Sequence, residues 1–203
     1  MNIKHRFLEN VRNAPLDVKL IIKETPGGRS MIRAWDCAIS RYHKDNDTNT
    51  AISYLQNQCA TFANNQKNEI KTNSLVENLV DYIDDYTKQN FESVKTLSRL
   101  KVDIQHNNNI TGEIFRIDKT QEGGYAITVM QREGKFWAHE LRFPLLQRHY
   151  SNVYNCPFDL VKVGIYNYET KKHEYKSFDE GEIIMAWDNT LKLSNDINKF
   201  VKL

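Results

Sequence analysis

The sequence predicts an α+β protein: a helical N-terminal half packed on a mixed, mainly antiparallel sheet with flanking helices. Three observations lead to this class. Apolar residues recur at helical spacing through about the first 100 residues. A polar break, Asn107 to Asn109, then marks a change of pattern. Beyond it the apolar period falls to about two, and turn dipeptides such as Gly123-Gly124 separate the apolar runs.

Helix starts are predicted at three places in the N-terminal half. Ser30 is a candidate N-cap for the first helix, and one of residues 47–49 caps the second. Ser74 and Glu77 fit a capping box, in which the serine oxygen accepts from an orphan backbone amide and the glutamate reaches back. The spacing then predicts helix up to about residue 100.

The clearest pattern of the chain follows the polar break. Three extended runs are separated by glycine-containing turns, and a helical stretch comes directly after Pro144. This order predicts a three-stranded antiparallel meander followed by a helix. The predicted strands cover residues 110–120, 125–132 and 135–143, and the helix covers residues 145–154.

The C-terminal part is predicted to form a hairpin and then helix. Asp179 and Glu182 resemble a capping box, and Ser194 is a candidate cap for a last short helix. The apolar alternation before them predicts two strands, residues 160–168 and 173–178, joined by a turn at residues 169–172.

Size and composition limit the function classes. A chain of 203 residues, 40% of them hydrophobic, suits one large domain or two small ones. We divide it into a helical region, 1–100, and a sheet region, 101–203, with a continuous domain from about residue 74 as the alternative. A net charge of +2 gives no global basic field, so any nucleic-acid surface is a local patch. Without a long apolar run or a signal-peptide core, we expect a cytoplasmic protein with no membrane partner.

The order of predicted elements from Ser74 onward resembles the core of the PD-(D/E)XK nuclease superfamily, in the exonuclease branch linked to helicases and CRISPR. In that family an Asp ends one strand, the next strand carries Asp/Glu-x-Lys, and bound Mg²⁺ activates water. The resemblance places Asp118 at the metal-ligand position, and Val129 and Gln131 at the positions of the acid and the lysine. Because neither residue supplies the required group, the resemblance implies a nuclease-like chain without catalysis.

A second arrangement would restore a catalytic site. Glu133-Gly134-Lys135 has the Glu-x-Lys form of the motif and lies just after the second predicted strand. With Asp118 it would form the catalytic set Asp118, Glu133 and Lys135, and Asp118, Glu133 and Glu77 would hold Mg²⁺. The alternative is a polar hairpin turn in which Gly134 supplies a positive φ. No cofactor is expected unless this site forms.

Another part of the resemblance is the helix after Pro144. The family sometimes carries a Gln-x-x-x-Tyr motif there, and the sequence has Gln147 and Tyr150, with the tyrosine one position early. Around this helix and the strand before it, cations and aromatic residues interleave. The mixture suits phosphate contacts with base stacking, and it suits a protein interface equally. The predicted binding residues are Arg132, Trp137, Arg142, Arg148 and Tyr150.

Three functional hypotheses follow. The first is a non-catalytic, nuclease-like accessory or scaffolding subunit of a bacterial nucleic-acid-processing or antiviral-defence assembly, with a protein partner and nucleic acid as a further ligand. The second is an active Mg²⁺-dependent nuclease of the PD-(D/E)XK type. The third is a small adaptor or regulatory protein with no nucleic-acid role. Carboxylates of Asp118 and Glu133 within about 5 Å of each other would favour the second.

Overall fold

The computed structural model describes residues 1–17, 21, 30–105, 108–131 and 136–201, and the statements below refer to this part of the chain. It has the expected α+β class, with helices on both faces of a mixed sheet. The helices are α1 (Leu8–Asn13), α2 (Met31–Asp45), α3 (Thr48–Cys59), α4 (Gln66–Thr87), α5 (Arg142–Tyr154) and α6 (Glu180–Val201). The strands are β1 (Asn2–Lys4), β2 (Glu92–Asp103), β3 (Asn109–Lys119), β4 (Tyr125–Gln131), β5 (Val161–Asn167) and β6 (Lys172–Lys176).

Strand β3 is the centre of the sheet. One of its edges pairs antiparallel with β2 from Asn109 to Lys119. Its other edge changes partner: β1 pairs with it in parallel at residues 109–111, and β4 pairs antiparallel at residues 116–119. Strand β5 then adds in parallel to β4, and β6 adds antiparallel to β5. The prediction of a mixed, mainly antiparallel sheet is therefore confirmed.

Each face of the sheet is covered by its own hydrophobic layer. Helices α2, α3 and α4 pack on one face, where the Trp35 ring contacts Tyr82, Phe115 and Tyr166 at centroid distances of 5.9, 6.3 and 6.0 Å. Helices α1, α5 and α6 cover the other face around Ile127. Within the described ranges, no helix is long and apolar enough to cross a membrane.

The helical prediction for residues 91–100 is wrong, because this segment belongs to β2. Its apolar residues are three apart, but only Leu100 among them is buried, and Val94 is 49% exposed at a bulge in the β2–β3 register. The backbone is also irregular at Leu97, where φ is +48°. These two irregularities shift the two-residue alternation, and the shifted alternation imitates a three-residue helical spacing.

The predicted third strand at residues 135–143 is also wrong where the structure describes it. Trp137–His139 is a 3₁₀ turn, and α5 begins at Arg142. The meander exists, but it consists of β2, β3 and β4, one strand earlier than expected. Helix α5 then serves as the crossover that a parallel β4–β5 pair requires.

Three of the predicted caps are confirmed. The Ser30 hydroxyl accepts from the Arg33 amide at 3.1 Å, and Asp47 accepts from the Asn49 amide at 2.9 Å. The capping box of α6 is reciprocal. The Glu182 amide donates to Asp179 at 2.8 Å, and the Asp179 amide donates to Glu182 at 3.0 Å. Such caps form between near neighbours in the sequence, which is why the pattern predicts them well.

Two other predicted caps are wrong. Helix α4 begins at Gln66 behind Asn65, whose side chain accepts from the Asn68 amide at 2.9 Å, so Ser74 lies inside the helix. Ser194 lies inside α6, where its hydroxyl accepts from the Asn108 side chain at 2.8 Å. Packing on the sheet stabilises each helix on both sides of the serine. A local sequence that resembles a helix start therefore lies in the interior of the helix in both places.

Candidate functional site

Asp118, the predicted metal ligand, lies in the core near the end of β3. Its Oδ2 accepts from Nε of Arg116 at 2.6 Å, and both side chains are completely buried. Residues i and i+2 of a strand point to the same face, so β3 supplies both halves of the ion pair. Burial raises the pKa of Asp118, and the guanidinium opposes that rise. The carboxylate is matched by one buried positive charge.

Arg116 is held by polar side chains from both α4 and β6. It donates to the Tyr82 hydroxyl, to the Tyr175 hydroxyl at 3.0 Å and to Nε2 of His173 at 3.1 Å. The Tyr86 ring lies 4.3 Å from the guanidinium carbon. The fork of donors on the arginine is thus largely satisfied without water.

His173 links this network to α4. Its Nδ1 and its backbone amide lie 2.9 and 2.7 Å from one oxygen of Asp85, while Lys172 donates to the other oxygen at 3.1 Å. Because Nε2 accepts from Arg116, the proton sits on Nδ1 and is donated to Asp85. Burial, with the nearby Arg116 charge, lowers the pKa of His173 to about 4. The imidazole is therefore neutral at pH 7.

We expect the free energy of unfolding to fall as the pH drops from about 6.5 to 4. His173 has a folded pKa of about 4 and an unfolded pKa of about 6.5. In that window the unfolded chain binds the extra proton, so acidification favours unfolding, by up to about 3 kcal/mol for this residue. Urea denaturation at pH 7, 6, 5 and 4 measures the effect. His173→Asn should make the slope less steep, with His5 among the groups that still contribute, and an unchanged slope in that variant would contradict the assignment.

Val129 and Glu77, two of the other nuclease positions, do not join Asp118. Val129 is buried against the α5 face of the sheet, whereas Asp118 contacts Tyr86 of α4 on the opposite face. Glu77 is on the exposed side of α4. No group of three His, Cys, Asp or Glu side chains in the described part of the chain could hold a metal ion. Glu133, Lys135 and Arg132 lie outside the described residues, as does the side chain of Gln131, so the alternative catalytic set stays a prediction.

The predicted binding aromatics are core residues. Trp137 is 7% exposed and donates from Nε1 to Glu174 at 2.8 Å, and Tyr150 is 4% exposed. The expected surface of interleaved rings and cations therefore does not form from these two residues. Arg148 is packed on the Trp187 ring at 4.0 Å. Arg142 is 7% exposed, pairs with Glu140 at 2.6 Å and lines a cleft.

Gln147, half of the motif that resembles the Gln/Tyr helix, is completely buried. Its Nε2 donates to the carbonyls of Phe158 and Phe178 at 2.8 and 3.0 Å. Its Oε1 accepts from the Phe178 amide at 2.7 Å. The side chain thus joins α5 to the segments before β5 and before α6. Its geometry serves the fold, because every partner is a backbone group.

The cleft lined by Arg142 is located at a break in the sheet. The edge of β3 pairs with β1 up to Thr111 and with β4 from Arg116 onward. Residues 112–115 between these two pairings have no described strand partner on that edge. A cavity of about 490 Å³ opens there, within the range of small-ligand pockets. Elements distant in sequence meet at it: β1, α2, β2, β3, β4 and the start of α5.

Cations outnumber acids in the lining of this cleft. Four of its residues are cationic and two are acidic, and Phe115, Val129 and Met130 add apolar surface to the lining. Of the two acids, Glu113 is held by Arg33 at 2.5 and 3.0 Å in a bidentate ion pair. The cationic residues are Lys4, Arg6, Arg99 and Arg142, and the other acid is Asp36.

His5 stands inside this cleft and is 6% exposed. Its Nε2 lies 3.1 Å from the Glu113 carbonyl, which fixes the proton on Nε2. Its Nδ1 is buried and has no hydrogen-bond partner among the described residues. Burial, followed by the charge of Arg142, lowers the pKa of His5 to about 4, so the imidazole is neutral at pH 7. Gly112 leaves the necessary room, since a Cβ there would lie 2.3 Å from the His5 ring.

Among the cleft residues, Arg142 alone was a predicted binding residue. The cations come from distant positions in the chain and share no motif or spacing. Gly112 was a usable signal, because a glycine inside a strand often marks close approach of another group. The Arg116–Asp118 pair was visible too, as opposite charges two residues apart on one strand face.

Comparisons with known proteins identify no family. No family model matches the chain, and no curated protein matches it. Among solved structures, the chain is similar to one titled "Crystal structure of SSO0001", with 12% sequence identity and a TM-score of 0.30, over 93% of this chain and 86% of that one. A likeness at this level supports no conclusion about function.

Proposed function

We propose that the protein is a non-catalytic, nuclease-like accessory subunit that binds nucleic acid through the cleft between β1 and β4. The observation that carries the proposal is the excess of cations around an open groove in the sheet. Arginine and lysine side chains at such a groove are suited to the phosphate backbone. We also propose that it acts in a prokaryotic nucleic-acid-processing or antiviral-defence assembly and has a protein partner there.

The absence of catalysis rests on Asp118 and Val129. A carboxylate that binds Mg²⁺ needs free oxygens facing solvent or substrate, but Asp118 is buried against Arg116 and Tyr86. Val129 supplies no ligand atom at the position of the family's second acid. Binding without cleavage is therefore the activity that this arrangement supports.

We expect reversal of two cleft cations to abolish most nucleic-acid binding. Arg6 and Arg99 are exposed at the rim, so Arg6→Glu with Arg99→Glu should leave the core intact. Affinity for a fluorescent single-stranded oligonucleotide should fall at least about tenfold at low salt. Each phosphate contact releases counterions from the nucleic acid, and losing the contact loses this favourable contribution to binding. For the unmodified protein, a plot of log affinity against log salt concentration should have a slope of about −2. This is the slope expected when about three phosphates of a single strand are contacted.

The control changes the same net charge elsewhere. Lys67→Glu with Lys71→Glu alters two exposed cations of α4 outside the cleft, and its binding should match that of the unmodified protein. Equal losses in both double variants would show a non-specific charge effect and would contradict the proposed site. No binding by the unmodified protein would favour the adaptor hypothesis instead.

The same samples test the nuclease alternative. Single- and double-stranded DNA and RNA are incubated with Mg²⁺ or Mn²⁺, and Glu133→Gln is the diagnostic substitution, since it removes a charge and leaves Asp118 and Arg116 unchanged. Metal-dependent cleavage that this variant abolishes would overturn the non-catalytic proposal and support the site of Asp118, Glu133 and Lys135.

A further inference from the structure

Exposed apolar side chains are concentrated on α5, α6 and the segment between α5 and β5. Of the nine large hydrophobic residues that are exposed in the described part of the chain, five lie there. The most exposed of the five are Met185 at 61%, Val153 at 55% and Ile184 at 52%, and the other two are Phe158 and Leu160. Single exposed apolar residues need no explanation, whereas a concentration of them marks an interaction surface.

Ile184 and Met185 form a short ridge on α6 with a groove on each side. The larger groove has a volume of about 360 Å³, and Ile184, Trp187 and Phe158 are among the residues that line it. The smaller groove, of about 150 Å³, is lined in part by Met185 and Ala186. Helices pack on one another by placing the side-chain ridge of one into the groove of the other. The surface therefore has the shape that receives a further helix.

The larger groove has a cation at one end and an acid at the other. The guanidinium of Arg148 lies over the Trp187 ring at 4.0 Å, and the exposed Glu180 comes seven residues before Trp187 on α6. Seven residues of helix rise by about 10 Å, so the two charges lie at separate ends of one groove. A helix that fills this groove is matched electrostatically if it carries the opposite charges at its two ends.

We propose that this surface binds a second copy of the chain, in a two-fold symmetric dimer whose α6 helices lie antiparallel. A two-fold axis turns the second copy end for end, so Arg148 of each copy meets Glu180 of the other. A wholly acidic or wholly basic partner would match only one of these charges, whereas the chain itself matches both. The two grooves share no lining residue with the cleft between β1 and β4, so the inference does not rest on the proposed function.

The first test is sedimentation equilibrium of the whole protein at concentrations up to about 200 µM. We expect the average mass to rise from that of one chain to that of two, with a dissociation constant of about micromolar size, as for other small interfaces. A single-chain mass at every concentration would overturn the inference and leave a different protein as the occupant of the surface.

One substitution tests which surface forms the dimer. Ile184→Glu should weaken the dimer at least about tenfold, because it places a charge at the apolar centre of the interface. Ile70→Glu is the matched control, since Ile70 is also an exposed isoleucine, at 63%, and lies on α4. The control should leave dimerisation unchanged. A dimer that Ile184→Glu does not weaken would use another surface, and that result would overturn the inference.

Exchanging the two charges tests the two-fold arrangement. Glu180→Lys opposes two cations and Arg148→Glu opposes two acids, so each variant alone should weaken the dimer at least about threefold. An equimolar mixture of the two variants should recover dimerisation, because both contacts of the mixed dimer then join opposite charges. Recovery would also show that neither variant lost dimerisation by unfolding. A mixture that associates no better than either variant alone would show that Arg148 and Glu180 do not meet, and it would overturn the inference.

Discussion

Replacing Asp118 by alanine is expected to lower the free energy of unfolding by about 3–5 kcal/mol, the usual cost of leaving one buried charge without its partner. Arg116 is completely buried, and its Nε donates to the lost carboxylate. Its remaining partners are neutral groups such as Tyr82 and Tyr175, which do not compensate the charge. Chemical denaturation monitored by circular dichroism measures the change.

The matched control removes both charges together. Arg116→Met with Asp118→Leu leaves no buried charge without a partner, although Tyr82, Tyr175 and His173 lose the donor that Arg116 supplies. We expect the double variant to be much more stable than Asp118→Ala alone. A double-mutant cycle made from Arg116→Met, Asp118→Leu and the double variant measures the coupling, and a coupling of zero would show that the pair is not a unit. If Asp118→Ala left stability unchanged, the buried ion pair would not exist as described.

This result also changes how Asp118 is to be used in a nuclease assay. A loss of cleavage in Asp118→Ala would be ambiguous, because the variant is expected to unfold more readily. Glu133→Gln keeps both partners of the buried ion pair, which is why it is the better test of the catalytic alternative.

Replacing Gln147 by leucine is expected to cost about 3 kcal/mol or more. Leucine has nearly the same volume but neither donates nor accepts, so two carbonyls and the Phe178 amide lose their partner. Each buried backbone group left unsatisfied costs about 1–3 kcal/mol, and the partly buried Phe158 carbonyl is expected to be at the low end. Thermal and urea unfolding at pH 7 measure the loss.

Asn152→Leu is the control on the same helix. Asn152 is exposed on α5, so its replacement should change stability by no more than about 0.5 kcal/mol. Gln147→Glu should cost at least as much as Gln147→Leu at pH 7, since it places a buried carboxylate against the carbonyl oxygens of Phe158 and Phe178. Equal stability of Gln147→Leu and Asn152→Leu would contradict the role of Gln147 in joining α5 to the neighbouring segments.

The fold class followed from the sequence because it depends on local chemistry. The alternation in residues 110–131 and the Gly123-Gly124 turn fixed β3 and β4, whose observed bounds lie within a residue or two of the prediction. The N-cap at Ser30 and the capping box at Asp179 were predicted correctly for the same reason, since each contact spans three residues. The pattern gave the wrong prediction for β2, because the bulge near Val94 interrupts the two-residue alternation that identifies a strand.

The candidate site depended on contacts that no local pattern contains. An aspartate near a strand end has the same sequence signature whether it faces a metal or an arginine, and the packing of α4 against β3 placed Asp118 beside Arg116. Likewise, Trp137 and Tyr150 resembled an interface and proved to be core, because apolar rings are buried wherever helices cover a sheet.

By itself, then, the sequence determined an α+β protein with a sheet-forming centre at residues 110–131, because hydrogen bonding and burial periodicity act between near neighbours. Only the tertiary structure decided which charges meet. Lys4, Arg99 and Arg142 are separated by many residues, and they line one cleft because β3 exchanges β1 for β4 along a single edge. The change of partner depends on pairing between strands that are distant in the sequence. The local sequence is compatible with several pairing registers, and packing of the core selects one of them.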